Sequence, residues 1–256
     1  MKAIWSGAIG FGLVNIPVKL YSAVESSSLD FDMLDKKDHA NIKFKRVNEN
    51  SGKEVVWDNI VKGFKIEDKY VILTEEDFEK ASPEKSKIIE IAEFVDIADV
   101  DSIYFDTPYY LEPDKSGTKA YALLRDALLK SNKAGLGNFV LRTKETLCLI
   151  KPFDNILLLN KLRYFQEIRP IENITIPATK SKPAELKMAM ELINQLTDKF
   201  DIAKYKDTYN EELMKLIKAK SRGKKIASTK MKVVHSNAQD LMSQLKASIG
   251  NSRKAS

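Results

Sequence analysis

Apolar and polar positions in the first 175 residues follow the two-residue period of β-strands more often than the helical period. The alternation is clearest at 86–97, and residues 103–111 form a second strand-like run that is rich in aromatic side chains. Three further runs, at 138–142, 147–150 and 156–162, are separated by short turns and predict an antiparallel meander. Several short strands with one or two helices favour a barrel with added elements.

Glycines punctuate two parts of this pattern. Gly7, Gly10 and Gly12 interrupt an apolar, β-branched segment, which predicts bends or close backbone approach within a strand. Gly135 and Gly137 are interpreted differently, as the end of the region that precedes the meander.

A hairpin is predicted near the N-terminal third of the chain. Residues 42–47 alternate, residues 50–52 carry the turn signal Asn-Ser-Gly, and residues 54–57 resume an extended pattern. Residues 70–73 are a further short strand candidate.

Two helices are predicted before the linker region. Thr74 begins a short helix, with Asp77 three positions later forming a capping box. A longer helix covers residues 118–131. Its predicted apolar face comprises Tyr121, Leu124 and Leu128, widened by Leu123 and Ala127.

The C-terminal part changes character after three prolines, Pro170, Pro177 and Pro183, which mark a linker. Two apolar stripes then predict two short helices, and so small a module is expected to dock on another surface. The stripes are Leu186, Met190, Ile193, Leu196 and Phe200, then Leu213, Leu216 and Ile217. The segment after Ser221 is poor in hydrophobic residues and is expected to be flexible, while residues 237–249 predict a last short helix.

The composition indicates the cellular compartment and shows how charge is distributed along the chain. The chain has no apolar run of about 18 residues, so no membrane partner is expected. Polar residues interrupt the apolar N-terminus, which is interpreted as mature sequence, and the single cysteine fits a reducing compartment, so the protein is expected to be cytoplasmic. The net charge is +6, but residues 215–256 contribute +10 and the remainder −4. This basic tail favours a polyanion partner, although a solvated disordered end remains an alternative.

Few residues have the pattern of a catalytic or metal site. The two histidines, His39 and His235, lack metal-ligand partners, and Cys148 lies in an apolar strand where an inert buried thiol is expected. The glycines at 7–12 lack the order and context of a dinucleotide-binding loop. Two acidic clusters, at 75–77 and 99–101, are interpreted as solvated faces, while a metal-dependent nuclease site stays open as an alternative.

The basic residues of the predicted hairpin are the stronger signal. A row of cations along a ribbon can follow a phosphate backbone without reading base sequence, whereas the alternative is a soluble surface hairpin. The candidate DNA-binding residues are Lys36, Lys37, Lys43, Lys45, Arg46 and Lys53, with Lys19, Arg142 and Lys144 as further candidates. Phe44 and Trp57 lie close to them in sequence and are expected to pack the segment or to abut the sugar backbone.

An ordered set of segments resembles the bacterial Ku family. AIWSGAIGFGLVNIPVKLYSA at 3–23 is similar to the N-terminal signature of that family. The other segments are KFKRVNE at 43–49, YFDTPYYLEPD at 104–114, YALLRDAL at 121–128, LRTKETL at 141–147 and ELKMAMELI at 185–193. The resemblance covers residues 1–222, and the tail beyond Ser221 matches weakly.

The resemblance implies an α+β fold: a seven-stranded antiparallel β-barrel core at residues 1–175. A bridge inserted at about 29–73 would encircle DNA. A helical C-terminal module at 183–222 would contact an ATP-dependent repair DNA ligase, and a basic flexible tail at 223–256 would assist DNA binding.

The same resemblance implies a non-enzymatic function without cofactors. Two protomers would form a homodimeric ring around the ends of double-stranded DNA for repair by non-homologous end joining. Some relatives carry cysteines and histidines in the bridge that could bind zinc, but only His39 is present here and no metal is expected. The alternatives are a DNA-binding scaffold or nucleoid protein without preference for ends, and a metal-dependent nuclease.

Overall fold

The computed structural model describes residues 1–81, 87–142, 144–178 and 180–224 of the chain. They belong to two compact units. One unit comprises Met1–Ser26 and Asp30–Pro170, and the other comprises Ser27–Leu29 with the described residues from Ile171 onward. The predicted domain boundary at about residue 175 therefore lies close to the division between the units.

The described part of the chain contains nine strands and four α-helices. The strands are β1 Trp5–Phe11, β2 Val14–Ser22, β3 Lys62–Ile66, β4 Lys69–Leu73, β5 Ile88–Asp96, β6 Phe105–Pro113, β7 Lys133–Leu141, β8 Lys144–Phe153 and β9 Ile156–Leu162. The helices are α1 Glu75–Ala81, α2 Thr118–Ser131, α3 Pro183–Leu196 and α4 Thr208–Ser221.

Seven of the strands close into a barrel in the order β1-β2-β6-β9-β8-β7-β5, which confirms the predicted seven-stranded core. Six of the neighbouring pairs are antiparallel, and β1 and β5 pair in parallel, from Ala8 opposite Ile88 to Gly10 opposite Glu90. A closed ring with an odd number of strands cannot alternate direction all the way round. The parallel pair is therefore a geometric requirement of seven strands, which periodicity along the chain does not reveal.

Close backbone contact explains two of the glycines. A Cβ added at Gly7 would overlap the Lys87 carbonyl, in agreement with the predicted close approach in the first strand. Gly137 was expected to end a region, and this prediction is wrong, because it lies inside β7 against the β5 backbone. A Cβ there would overlap the Glu90 carbonyl, beside a register shift between Ile91 and Glu93.

Helix α2 packs on the barrel with the predicted face. Tyr121, Leu124 and Leu128 are buried, but Leu123 is 72% exposed and Ala127 is also exposed, so the predicted widening of the stripe at these two residues is wrong. The buried Tyr121 hydroxyl donates to the Leu111 carbonyl at 2.6 Å and accepts from the Leu157 amide at 2.7 Å. One side chain of the helix thus joins β6 and β9.

Cys148 lies in the barrel core with no exposed surface. Burial in apolar surroundings raises the pKa of the Cys148 thiol to about 12, so the thiol is protonated near neutral pH. The expected inert buried cysteine is confirmed.

The second unit contains α3 and α4, which overlap the two predicted helices of the module. Pro183 begins α3 at a position that suits proline, and the Asp207 carboxylate caps α4 by accepting from the Asn210 amide at 3.1 Å. No described residue of either helix is buried. The predicted helix at 237–249 and most of the basic tail lie outside the described residues. Within the described ranges, no helix has the length and apolar character needed to cross a membrane.

Candidate nucleic-acid interface

The basic candidates lie mainly on one long insertion between β2 and α1, which we term the arm and define as residues 30–73. None of its side chains is buried, and all except Val55 and Leu73 are largely exposed. The exposed side chains include large apolar groups such as Phe44, at 79%, and Trp57, at 67%. So many exposed large apolar side chains within one segment indicate an interaction site.

The first turn of the arm presents Lys36 and Lys37. The Asp35 amide donates to the Ala40 carbonyl at 2.8 Å, and the Asp35 carboxylate accepts from the Lys37 amide at 2.7 Å. A positive φ of 60° at His39 completes the reversal. Both lysine side chains are held on a compact exposed turn and form no ion pair with any described residue.

The second turn lies where Asn-Ser-Gly predicted it. The Asn48 side-chain oxygen accepts from the amides of Asn50 and Ser51, both at 3.0 Å, and Gly52 has a positive φ of 66°. The predicted flanking strands at 42–47 and 54–57 are wrong, because only Val47 and Glu54 form an antiparallel bridge. An alternating pattern becomes a strand only when a neighbour pairs along its length, and the arm has no sheet beside it here.

This turn also pairs two of the predicted DNA-binding cations with other side chains. The Lys45 ammonium lies 2.6 Å from the Glu54 carboxylate in an exposed ion pair. The Arg46 guanidinium lies over the Trp57 ring, 4.3 Å from its centroid, in a cation–π contact. Lys43 and Lys53 are exposed, and within the described ranges they have no ion-pair partner.

The three remaining candidates lie on the barrel. Lys19, on β2, pairs with Asp114 at 3.1 Å, and the hydrogen bond and charge of Asp114 raise the pKa of the Lys19 ammonium. Arg142 has a positive φ of 64° in the turn after β7, and Lys144 begins β8. Six of the nine predicted residues therefore lie on the arm, one lies on β2, and two lie at the connection between β7 and β8.

Sequence reasoning missed half of a second hairpin in the arm. The strand candidate at 70–73 lies in β4, but its partner β3 was not predicted. The two strands pair from Lys62 opposite Leu73 to Ile66 opposite Lys69, around a two-residue loop. That short polar loop between two β-rich runs is the signal that could have revealed the pair. The hairpin adds Lys62, Lys65 and Lys69 to the cations of the arm.

One carboxylate of each acidic cluster, Asp77 and Asp101, has a local structural role. Asp77 accepts from the Thr74 amide at 2.9 Å and from its hydroxyl at 2.8 Å, and these hydrogen bonds lower the pKa of the Asp77 carboxyl. The predicted capping box of α1 is thereby confirmed. Asp101 accepts from the Ile103 amide at 2.9 Å. Among the residues that the structure describes, no group of three or more His, Cys, Asp and Glu side chains could hold a metal ion.

By its fold, the protein is a closed seven-stranded β-barrel protein that carries a long, exposed, cation-rich arm. Comparison with known families gives a narrower result: residues 10–189 match the Ku family model, described as the Ku70/Ku80 beta-barrel domain. The chain belongs to the Ku family.

Curated relatives agree with this family along most of the chain. The protein named non-homologous end joining protein Ku of Coxiella burnetii is 37% identical, over 99% of this chain and 96% of its own length. Proteins of the same name from Bacillus subtilis and Archaeoglobus fulgidus are 38% and 41% identical. These two matches cover 99% and 88% of this chain, and 83% and 90% of the relatives. The resemblance inferred from the sequence motifs is confirmed.

Proposed function

We propose that the protein binds the ends of double-stranded DNA as a ring-shaped homodimer and recruits a repair ligase for non-homologous end joining. Binding is independent of base sequence, and the protein itself performs no chemistry on the DNA. The protein acts in the cytoplasm, on the nucleoid. Membership of the Ku family and the names of the curated relatives support this proposal.

The exposed arm is the observation that carries the homodimer. A segment without a buried side chain cannot be stabilised by its own packing, since burial of apolar surface is the main favourable term in folding. A second copy of the chain would cover these exposed apolar side chains with its own, because each protomer exposes the same set. These exposed groups are Phe31, Met33, Leu34, Ile42, Phe44, Val47, Val56, Ile60, Val61, Phe64, Ile66, Tyr70, Val71 and Ile72.

The cations of the arm supply the affinity for DNA. Ammonium and guanidinium groups contact phosphates whatever the base sequence is, which suits a protein that must accept any broken end. If the ring contacts about 6–10 phosphates, affinity should fall roughly 10³- to 10⁵-fold between 50 and 200 mM salt. Lys36, Lys37, Lys43 and Lys53 are the phosphate-contacting lysines that we favour, because they are exposed and unpaired among the described residues.

The helical segment at 183–222 is the proposed contact for the ligase. One face of α3 carries Leu186, Met190 and Ile193, and all three are more than half exposed. Replacing Met190 with Glu should abolish ligase recruitment in a pull-down with an ATP-dependent repair ligase and leave DNA binding intact. Gln195→Glu, also exposed on α3, is the matched control. Unchanged recruitment by Met190→Glu would contradict this contact.

Comparing a linear duplex with a covalently closed circle of the same sequence tests the main proposal. A ring that loads at termini should bind the linear form and should not bind the circle. Equal affinity for both would instead favour a scaffold or nucleoid protein. Incubation of the labelled duplex with Mg²⁺ or Mn²⁺ tests the nuclease alternative, and we expect the DNA to remain intact.

A further inference from the structure

Arg46 and Trp57 form a contact that general attraction to phosphate does not explain. The guanidinium carbon lies 4.3 Å from the centroid of the indole ring. Trp57 is 67% exposed, so its indole is not a core side chain. Arg46 forms no ion pair with a carboxylate of the described residues, in contrast to its neighbour Lys45, which pairs with Glu54.

The backbone of the arm brings these two side chains together across eleven positions of sequence. The Val55 amide donates to the Arg46 carbonyl at 2.9 Å, next to the bridge between Val47 and Glu54. A 3-10 turn then begins at Trp57, closed by the Ile60 amide donating to the Trp57 carbonyl at 3.0 Å. Hydrogen bonds therefore position the backbone on both sides of the contact.

The chemistry of the pair favours presentation of the guanidinium to an anion. Stacking occupies one face of the planar group and leaves the N–H donors at its edge available. Those donors match two phosphate oxygens in a bidentate contact. A flexible arginine must lose side-chain freedom when it binds, whereas a guanidinium already held on a ring loses less of it.

We propose that Trp57 is a positioning residue that holds the Arg46 guanidinium so that its N–H edge meets a phosphate of the DNA backbone. The proposal rests on the proposed DNA binding and specifies which arm cation is pre-organised for it. Trp57 acts here through Arg46 and does not itself contact the DNA.

A double-mutant cycle on the full chain tests this role. The affinity for a blunt linear duplex is measured by fluorescence anisotropy at several salt concentrations for Trp57→Ala, Arg46→Ala and the double variant. Trp57→Ala should weaken binding roughly two- to fivefold, the range of an exposed cation–π contact. It should have no further effect in the Arg46→Ala background. Arg46→Ala should also reduce the salt slope by about 0.9 for each phosphate that the protein no longer neutralises.

Two control variants distinguish the positioning of Arg46 by Trp57 from the general effect of removing a large exposed aromatic side chain. Trp57→Phe retains an aromatic face and should restore most of the affinity that Trp57→Ala loses. Phe165→Ala removes an exposed aromatic side chain outside the arm, one without a cation over its ring among the described residues, and should leave affinity unchanged. Size-exclusion chromatography should give the same oligomeric state for Trp57→Ala and the unmodified chain.

The possible failures are distinguishable. If Trp57→Ala binds like the unmodified chain while Arg46→Ala is weakened, the positioning role is wrong and DNA binding stands. If Trp57→Ala weakens binding equally in both backgrounds, the indole contributes to DNA binding without Arg46. If Trp57→Ala changes the oligomeric state, the indole contributes to the contact between protomers. Either result overturns the inference. If the unmodified chain does not bind the duplex, both the inference and the proposed function are overturned.

Discussion

At the scale of single residues, the Tyr121 hydroxyl links α2 to the barrel strands β6 and β9 through two hydrogen bonds. It donates to Leu111 and accepts from Leu157, and both hydrogen bonds are buried. Tyr121→Phe would leave the Leu157 amide without its partner inside the protein. An unsatisfied buried group costs about 1–3 kcal/mol, so the free energy of unfolding should fall by about that amount.

Urea denaturation followed by circular dichroism measures this change. Tyr21→Phe is the matched control, because the Tyr21 hydroxyl donates to Glu112 at 2.6 Å in an exposed hydrogen bond. We expect the control to change stability by less than about 0.5 kcal/mol, as for most surface substitutions. Equal effects of the two variants would show that burial of the Tyr121 hydroxyl contributes nothing.

Glu54 restrains one of the candidate DNA-binding cations. Its carboxylate lies 2.6 Å from the Lys45 ammonium and would compete with a DNA phosphate for that group. Glu54→Gln should release Lys45, strengthen duplex binding by up to about fivefold, and steepen the salt slope by about 0.9 for each further phosphate that the protein neutralises.

Glu49→Gln is the control for Glu54→Gln. It removes one negative charge from the same turn, and no described cation pairs with Glu49. Anisotropy titrations over a salt series measure both variants, and the gain in affinity should be larger for Glu54→Gln. A gain of the same size from both would mean that net charge matters and pairing of Lys45 does not.

At the scale of elements, the sequence predicted best where local rules decide the structure. Helix α2 follows from apolar spacing and α1 from its capping box, since both signals lie within the segment itself. The strands predicted at 42–47 and 54–57 did not form, because a strand also needs a neighbour that no local pattern specifies. The start of β7 was missed because a local signal was misleading. A glycine pair usually marks a break, but at Gly137 it permits close contact with the Glu90 backbone of β5.

Gly137 therefore has a predictable sensitivity. Gly137→Ala places a methyl group against the Glu90 carbonyl, and the backbone must move to accept it. Overpacking of this kind costs about 1–3 kcal/mol, which thermal unfolding should detect as a lower melting temperature.

Gly63→Ala is the control for Gly137→Ala, because a Cβ at Gly63 meets no atom closer than 3.5 Å. It should change stability by less than about 0.5 kcal/mol. A Gly137→Ala variant as stable as the Gly63→Ala variant would contradict the account of the contact between β5 and β7.

At the scale of the whole molecule, the residue types of the candidate site could be predicted from the sequence, but the contacts between its side chains could not. The cations of the arm are visible in the sequence, whereas the contacts of Lys45 with Glu54 and of Arg46 with Trp57 depend on a turn that joins distant positions. The strand order of the barrel is equally inaccessible to periodicity, because it is a property of pairing between segments. The whole molecule shows a separation of two regions: the barrel buries the hydrophobic core, and the arm leaves apolar and cationic groups exposed.

This separation predicts a difference between electrostatic and topological retention on DNA. Phosphate contacts weaken in concentrated salt, since the screening length falls to about 3 Å at 1 M. A closed ring threaded by DNA is held by its covalent and packing integrity, which salt does not remove. If the protein is loaded on a linear duplex whose ends are then ligated, it should remain on the resulting circle at 1 M salt. The same protein should slide off an unligated linear duplex under that condition, and it should not load on a circle closed beforehand. Sedimentation of the DNA measures the bound protein in all three samples. Loss of the protein from the ligated circle as quickly as from the linear duplex would exclude a closed ring, because contacts alone would then hold it to the DNA.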